Sequence, residues 1–236
     1  MSDRKEQPSV LELQARWDRI RSANLYDTLD RMGYPDQCLD LSIRPLFPHQ
    51  HLAGMVVTAR GSRDVPMQGD AEKYGKGEDY FGALRDAMYP GCVLVLETGG
   101  EPHTGKFGEM TSWGIKQGGA RGIVLDGFIR DSWGLEVIPD YTVCARGTSP
   151  VESAKRWRMT AANVPIGMPG TLTSNVRVEP GDWIVADADG VIVVPQAIAM
   201  EALEKAEEIE AREQGMREDL ATGMSFKDAF DKWGRA

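Results

Sequence analysis

Short apolar runs, separated by glycine-rich or polar segments, dominate the middle of the chain. CVLVLE (92–97), GIVLDG (122–127) and the run from Tyr141 to Ala145 are almost free of polar residues and predict buried strands. MVVTAR (55–60) predicts another strand. The two apolar runs of RVEPGDWIVADADGVIVVPQ lie on either side of an Asp-Gly pair, which favours a hairpin.

Helical spacing of apolar residues is found before, between and after these strands. Ser22 is placed to cap the second helix, and Gly33 is placed to end it. GTSPVESAKRWRMTAANVPIG, by contrast, is expected to be mostly loop. The predicted helices are VLELQARWDRI, NLYDTLDRMG, FGALRDAMYPG, EMTSWGIKQGG, AIAMEALEKAEEIEAREQGMREDL and SFKDAFDKWG.

One strand–helix–strand unit stands out, from Cys92 to Gly127. Its short connections predict a right-handed parallel unit. The remaining strands are not separated by regular helices. We therefore expect an α/β domain with a mixed or layered β core and a long C-terminal helix.

Composition and charge exclude several classes of function. The 236 residues carry a net charge of -9 and no basic stripe, so a nucleic-acid partner is not expected. No stretch approaches the ~18 apolar residues of a membrane span, and the N-terminus lacks the apolar run of a signal peptide. The three cysteines form no metal-binding spacing, which favours a reducing, cytoplasmic location.

The candidate chemistry lies where the parallel strands end. Glu109 begins the predicted helix, and after twenty intervening residues Arg130-Asp131 follows the next strand. One helix, one turn and one strand return the chain to the same edge, so these side chains should face each other. Two carboxylates suit a hard divalent cation, most simply Mg²⁺, that retains several waters. Arg130 is a planar fork suited to a substrate carboxylate or an enolate oxygen.

Simpler interpretations stay open at this point. A strand that ends in Arg-Asp, as at Arg130-Asp131, is often just a surface ion pair. TGGEPHTGKFG is rich in glycine but does not match a dinucleotide-binding loop. His49 and His51 have no further metal ligand at a useful spacing, and His103 is alone in a loop. The KRWR run (155–158) is most simply a solvated face or a partner contact.

Several of these motifs together resemble the RraA-like family. GGARGIVLDGFIRD, Gly108-Glu109, DTLDRMG, YPGCVLVLE, VEPGDWIVADADGVIVVP and GMSFKDAFDKWG all resemble family segments, and the resemblance covers residues 22 to 234. The family includes class II 4-hydroxy-4-methyl-2-oxoglutarate and 4-carboxy-4-hydroxy-2-oxoadipate aldolases and regulators of ribonuclease E. Its marker is an acidic residue, twenty residues, and then Arg-Asp.

The resemblance implies a fold, a domain layout and an assembly. The fold is the layered ββα swivelling type, in a homotrimer or a homohexamer. Residues 1–21 would form an N-terminal tail and helix, and 22–199 the catalytic domain. Residues 200–236 would form a C-terminal helical arm of the same domain with subunit contacts.

The resemblance also implies roles for particular residues. Asp131 would bind Mg²⁺ or Mn²⁺, with Glu109 supporting the metal and its waters. Arg130 would contact pyruvate and stabilise its enolate. The backbone at Gly108 and the amides of Met110 and Thr111 would bind the pyruvate carboxylate. Glu213, from the C-terminal helix of a neighbouring subunit, is the candidate acid/base relay.

The implied activity is aldolase cleavage of a 4-hydroxy-2-oxo acid to pyruvate through a metal-stabilised enolate, with oxaloacetate decarboxylation as a side activity. The common family motif Gly-Asp-Leu-Leu-Ala is replaced here by GEMTSW, and the loop from Val65 to Tyr80 places Lys73 and Lys76 near an expected entrance. These departures favour a different substrate. The alternatives are a protein-binding regulator without turnover, and a metal-dependent dehydratase or hydrolase acting on a sugar-derived acid. A methyltransferase is disfavoured because no methyl-donor motif is present.

Overall fold

The computed structural model describes residues 9–63 and 79–234, which form a mixed α/β fold. The helices are α1 (Val10–Trp17), α2 (Ser22–Arg31), α3 (Tyr80–Ala87), α4 (Glu109–Gln117), α5 (Ser132–Glu136), α6 (Ala199–Ala221) and α7 (Phe226–Trp233), with a 3-10 turn at Gln196–Ile198. The strands are β1 (Arg44–Pro45), β2 (Leu52–Arg63), β3 (Val93–Glu97), β4 (Gly122–Leu125), β5 (Phe128–Ile129), β6 (Thr142–Ala145), β7 (Gly147–Thr148), β8 (Trp157–Ala162), β9 (Ile166–Met168), β10 (Val176–Val178), β11 (Trp183–Asp187) and β12 (Gly190–Val194).

An eight-stranded mixed sheet forms the body of the fold. Its order is β1, β6, β4, β3, β2, β11 and β12, and β8 pairs with the far end of β2. The central strands β2, β3, β4 and β6 run parallel, while β1, β8, β11 and β12 join antiparallel. The predicted α/β class, mixed β core, late hairpin and long C-terminal helix are therefore confirmed.

The apolar runs become buried strands because both faces of the sheet are covered. In β3, Leu94 and Leu96 face a core that α3, α4 and α5 complete, whereas Val93 and Val95 face a second core closed by β9 to β12. A third core lies between the outer face of the hairpin and helices α1, α2 and α6. Continuous apolar sequence is what a strand buried on both faces requires. No helix within residues 9–63 and 79–234 has an apolar stretch long enough to cross a bilayer.

The predicted strand–helix–strand unit is present as β3, α4 and β4. β3 and β4 pair in parallel, with Val93 opposite Gly122 and Leu96 opposite Leu125. Cys92, just before β3, and Cys144, in β6, are buried as free thiols, as their apolar surroundings suggested. The parallel register brings the ends of β3 and β4 to one edge of the sheet, where the site lies.

The expectation that residues 147–167 are mostly loop misses β8 and describes only about half of the segment. β8 pairs antiparallel with β2 from Ala59 to Arg63, continuing the edge of β2 beyond the point where β11 ends. Trp157 and Met159 point inward while Arg158 points outward, and Trp157 is 5% exposed. The KRWR run is therefore not simply a solvated face, because its tryptophan belongs to the core.

The expectation that Ser22 caps α2 is also wrong. The residue before the helix is Arg21, and no side chain caps this end. Ser22 is the first helical residue; its hydroxyl and its N–H donate to the carboxylate of Asp187, at 2.5 and 2.8 Å. Asp187, at the end of β11, thus supplies the acceptor that ties α2 to the hairpin. Gly33, with φ of +87°, follows the helix as predicted.

This geometry distinguishes Ser22 from a true cap by substitution. As a cap, Asp would replace Ser without loss. At position 22, however, Ser22→Asp places a second carboxylate against Asp187. We therefore expect the unfolding free energy of Ser22→Asp to be about 1–3 kcal/mol lower than that of Ser22→Ala. Urea denaturation of both variants measures this difference.

Ser9, whose side chain does cap α1, is the matched control. There Ser9→Asp should be close to wild type and Ser9→Ala should cost about 1 kcal/mol. Equal stability of Ser22→Asp and the wild type would contradict the assignment.

Candidate active site

The segment that leads to Arg130 is held on both sides. The N–H of Lys106 donates to the carbonyl of Phe128 (2.8 Å), and the N–H of Arg130 donates to the carbonyl of Phe107 (2.9 Å). On its other side β5 pairs in parallel with β7. The loop after β3 and the segment after β4 therefore share main-chain hydrogen bonds, which fix Arg130 relative to the start of α4.

Asp131 adopts a left-handed backbone conformation, with φ of 59° and ψ of 42°. Asp is one of the few residues that visit this region without a large penalty. Its carbonyl accepts a hydrogen bond from the N–H of Gly134 (2.9 Å), and this bond closes the first turn of α5. The N–H of Glu109, the first residue of α4, donates to Asp131 Oδ2 at 3.3 Å. The turn therefore points the carboxylate at the positive end of α4.

Two glycines leave room where the two segments approach each other closely. A Cβ at Gly108 would lie 2.2 Å from Asp131 Oδ2, and a Cβ at Gly105 would lie 2.7 Å from Arg130 Cβ. No side chain fits at such distances without a shift of its neighbours. Gly108 and Gly105 thus allow the Arg130 and Asp131 side chains to lie directly over the loop.

Arg130 and Asp131 also form a loose ion pair. Arg130 Nε lies 3.3 and 3.4 Å from the two carboxylate oxygens, longer than the ~2.7–2.9 Å of a tight charge-assisted bond. Nη1 of Arg130 lies 3.9 Å from Glu152 Oε1. The simple interpretation as a surface pair is thus partly correct, but both side chains also line a pocket.

This pocket has a volume of about 800 Å³. It brings together five of the predicted residues: Gly108, Met110, Thr111, Arg130 and Asp131. Met110 and Thr111 lie in the first turn of α4, whose N–H groups have no acceptor within the helix. Such a turn is a ready site for an anion.

The Glu109 carboxylate does not make the predicted contact with Asp131. Its main-chain N–H, rather than its carboxylate, contacts Asp131. A Cβ at Gly134 would lie 2.1 Å from Glu109 Oε2, so the Glu109 carboxylate packs against the first turn of α5. The longer side chain of Glu thus reaches past Asp131 to a neighbouring helix.

The residues present fit only one class of metal. Within residues 9–63 and 79–234, no three His, Cys, Asp or Glu side chains form a metal-binding group. Asp131 places one carboxylate at the pocket, and the Glu109 carboxylate lies against α5. That is too few ligands for a zinc site with four protein ligands, whereas Mg²⁺ commonly keeps several waters. His51 is not a ligand candidate here, because its Nε2 contacts the carbonyl of Ile20 at 3.1 Å.

Glu213 does not reach this pocket within one chain. On α6, its carboxylate accepts hydrogen bonds from Asn24 (3.2 Å) and Arg217 (3.1 Å) and pairs with Arg21. Burial alone would raise the pKa of Glu213, but the hydrogen bonds from Asn24 and Arg21 hold that pKa below its usual value. In the single chain Glu213 therefore joins α6 to α2 as an ionised group.

The sequence did not reveal the far wall of the pocket. α3 contributes Tyr80 and Phe81, and β8 contributes Trp157, Arg158 and Thr160. The in–out alternation around Trp157 was the available signal for β8. Lys73 and Lys76, expected near an entrance, lie outside the described residues.

Comparison with known proteins gives the family. The family model described as RraA-like, Aldolase/RraA, matches residues 22–193. The chain belongs to the RraA-like family.

Some relatives of this RraA-like protein are named as putative aldolases, and others are named as uncharacterized proteins. A protein of Halalkalibacterium halodurans named "Putative 4-hydroxy-4-methyl-2-oxoglutarate aldolase" is 33% identical over 145 residues, which cover 58% of this chain and 66% of the relative. An uncharacterized protein of Methanocaldococcus jannaschii is 31% identical over 140 residues, covering 58% of this chain and 64% of that protein. The chain thus spans just under two thirds of the length of these curated relatives.

A solved structure extends the likeness over most of the chain. Streptomyces coelicolor RraAS2, titled an unusual member of the RNase ES inhibitor RraA protein family, has a TM-score of 0.73 and 28% identity. The match covers 89% of this chain and 98% of that one. The RraA-like fold is therefore shared well beyond the residues around the site.

The contact between Gly108 and Asp131 predicts a coupled pair of substitutions. Gly108→Ala should destabilise the protein because its Cβ collides with the carboxylate, and Asp131→Ala should relieve most of that loss. A double-mutant cycle by chemical denaturation should give a coupling of about 0.5–3 kcal/mol.

Gly114→Ala is the control, since a Cβ there meets nothing within 4 Å. It lies in the same helix and should stabilise the protein by about 0.5–1 kcal/mol. Additive effects of Gly108→Ala and Asp131→Ala would contradict the placement of that carboxylate.

Near the pocket, Glu101 makes a buried ion pair with Lys106. Burial alone would raise the pKa of Glu101, but hydrogen bonds from Lys106 and Thr104 lower it to about 2. A carboxyl with a lowered pKa stabilises the fold above its unfolded pKa and loses that contribution as pH falls.

A pH dependence follows from this shift. With a pKa that falls from 4.5 to about 2 on folding, Glu101 should contribute stability that declines by about 2 kcal/mol between pH ~6 and pH ~3. Glu101→Gln lacks this contribution. The difference in unfolding free energy between wild type and variant should therefore shrink as the pH falls from ~6 to ~3. A difference that is constant with pH would contradict the ionised pair.

Proposed function

We propose that this protein is a divalent-metal-dependent carbon–carbon lyase that cleaves a 4-hydroxy-2-oxo acid to release pyruvate. The observation that carries the proposal is the convergence of Arg130, Asp131 and the first turn of α4 on one pocket. Membership of a family whose relatives are named as aldolases supports the class of reaction. Metal dependence, substrate and oxaloacetate decarboxylation are part of the proposal.

Asp131 would hold Mg²⁺ or Mn²⁺, with Glu109 supporting it from the start of α4. When bound, such an ion supplies Lewis-acid polarisation of the 2-oxo group. The two carboxylates and the retained waters match the chemistry of a hard cation.

The substrate carboxylate would bind at the amino end of α4. The N–H groups of Met110 and Thr111 point out of the first turn, and the helix dipole favours an anion there. Gly108 lacks a side chain that would block the approach. Arg130 then faces the 2-oxo group, where its planar guanidinium can stabilise negative charge that develops on the oxygen.

The cleavage itself needs one proton acceptor and one proton donor. A bound water would carry the proton from the C4 hydroxyl to a carboxylate, the C4 carbonyl forms and the C3–C4 bond breaks. The electron pair moves into a pyruvate enolate, which Arg130 stabilises and which gains a proton at C3. Oxaloacetate would lose carbon dioxide to give the same enolate, so decarboxylation is the expected side activity.

Assembly and location belong to the same proposal. Glu213 is held by α2 within its own chain, so a relay role requires the α6 helix of a neighbouring copy. A homotrimer or homohexamer would satisfy this requirement. The location within the proposal is the cytoplasm. The partners are then a small 2-oxo acid and further copies of the chain, with no nucleic acid and no membrane.

A protein-binding regulator remains the second candidate function. One observation favours it: Trp133 is 89% exposed and Val137 is 69% exposed, both on or beside α5 next to Asp131. The two residues are four apart in sequence, and contiguous exposed apolar patches, rather than single side chains, mark contact surfaces. Binding to a protein that is insensitive to Asp131→Asn and to chelator, without any turnover, would support this alternative.

Substitutions in the site should abolish turnover without unfolding the protein. Pyruvate release from 4-hydroxy-4-methyl-2-oxoglutarate and from oxaloacetate, with Mg²⁺ present, should fall by about 10²-fold or more in Asp131→Asn and in Arg130→Lys. EDTA should have the same effect on the wild type. A coupled lactate dehydrogenase assay measures the release.

Arg121→Met is the control, because Arg121 pairs with Asp18 at 2.7 Å and does not line the pocket. It should keep wild-type turnover. Full activity of Asp131→Asn, or no pyruvate from either substrate with the wild type, would overturn the proposal.

The role of the α4 amides can be tested without changing a charge. Met110→Pro removes one N–H in the first helical turn, where proline is tolerated. We expect KM for the 2-oxo acid to rise about tenfold, since one hydrogen bond to a charged group is lost. Met110→Ala keeps the N–H and should leave KM near the wild-type value. Circular dichroism checks the helix content of both variants, and equal KM values would contradict the role.

A further inference from the structure

The loop between β3 and α4 contains a buried ion pair that the proposed mechanism does not use. The side chains of Lys106 and Glu101 are 0% and 4% exposed. In every other ion pair within residues 9–63 and 79–234, at least one side chain is more than a quarter exposed. Removing two charges from water is costly, so a pair retained this deeply calls for a specific role.

The pair is part of a closed network. Four acceptors lie within hydrogen-bond distance of the three N–H donors of Lys106 Nζ: the carboxylate and carbonyl of Glu101 (3.0 Å for the carbonyl) and the carbonyl (2.9 Å) and hydroxyl (3.2 Å) of Thr104. The Glu101 carboxylate also accepts from the N–H groups of His103 (3.1 Å) and Thr104 (3.0 Å). The loop is thus folded around the ammonium, and all its buried charge is compensated.

Lys106 does not act as a nucleophile here. A lysine beside a 2-oxo acid pocket would otherwise suggest Schiff-base chemistry, which requires an accessible, neutral amine. The Lys106 ammonium is fully buried and faces the loop, so only the rest of this residue borders the pocket.

The main chain of Lys106 connects this network to the site. Its N–H donates to Phe128, and its carbonyl accepts from the hydroxyl of Ser153 at 3.0 Å. The next residue, Phe107, accepts the N–H of Arg130, and Gly108 then starts the approach to α4. Every one of these contacts depends on the position of residues 105–108. The Lys106 ammonium holds that segment through its hydrogen bonds to the loop.

We propose that the Lys106–Glu101 ion pair is a positioning device for the active site. It sets the register of residues 105–108 against residues 128–131 and so places Arg130, Asp131 and the first turn of α4 relative to one another. Lys106 and Glu101 are positioning residues and touch neither substrate nor metal. The inference rests on the proposed function for its kinetic and Mn²⁺ measurements, whereas the hydrogen-exchange measurement is independent of it.

The test is the double variant Lys106→Met/Glu101→Gln. It removes both charges and nearly keeps the volumes, so no unpaired charge stays buried, and its Tm should fall less than that of either single variant. Its kcat for pyruvate release should nevertheless fall by about tenfold or more, because a small misplacement of reacting groups is costly. KM should change little.

Two further measurements do not depend on activity. Hydrogen–deuterium exchange of residues 105–109 and 128–131 should become faster in the double variant, and binding of Mn²⁺ alone should weaken. Asp18→Asn/Arg121→Met, which removes a surface pair, is the matched control and should leave both unchanged. Thr104→Val keeps the two charges and removes one link of the network, so it should show a smaller change in the same direction, even if the double variant folds poorly.

The outcomes separate the two hypotheses. Wild-type exchange rates and wild-type Mn²⁺ affinity in the double variant and in Thr104→Val would overturn the positioning role. A wild type that releases no pyruvate would overturn the proposed function, while the exchange measurement would still decide the role of the ion pair.

Discussion

The main-chain pairing between residues 105–107 and β5 is the constraint on which the site depends. Those few hydrogen bonds join a loop that follows β3 to a segment that follows β4. Without them, the left-handed turn at Asp131 and the start of α4 would be positioned independently. With them, a carboxylate, a guanidinium and a helix N-terminus share one pocket, and glycines at 105 and 108 are needed because the segments approach so closely.

The sequence predicted the parts of the fold whose signals are local. Unbroken apolar runs gave the parallel strands β3, β4 and β6, and the spacing between Glu109 and Arg130 predicted that the two segments would meet. It did not predict β8, because that strand forms by pairing with the distant end of β2. The prediction that Ser22 is a cap was wrong because the carboxylate that accepts its hydrogen bond, that of Asp187, lies 165 residues away along the chain.

The candidate site shows the same division. Its carboxylates and arginine are adjacent to predicted strands and could be located from spacing, whereas the wall formed by α3 and β8 could not. The proposed role of Glu213 depends on a second copy of the chain, since within one chain its carboxylate is bound by Arg21 and Asn24. The Glu109 carboxylate packs against Gly134 of α5, and only its main-chain N–H contacts Asp131.

The most direct test of the central claim is a calorimetric titration of oxalate, a planar mimic of the pyruvate enolate, into the protein with and without Mn²⁺. If Asp131, Arg130 and the α4 amides form one site for a metal and a 2-oxo acid, oxalate should bind the wild type only when Mn²⁺ is present. It should not bind Asp131→Asn under either condition. Oxalate binding that is equal with and without Mn²⁺, or unaffected by Asp131→Asn, would contradict the account.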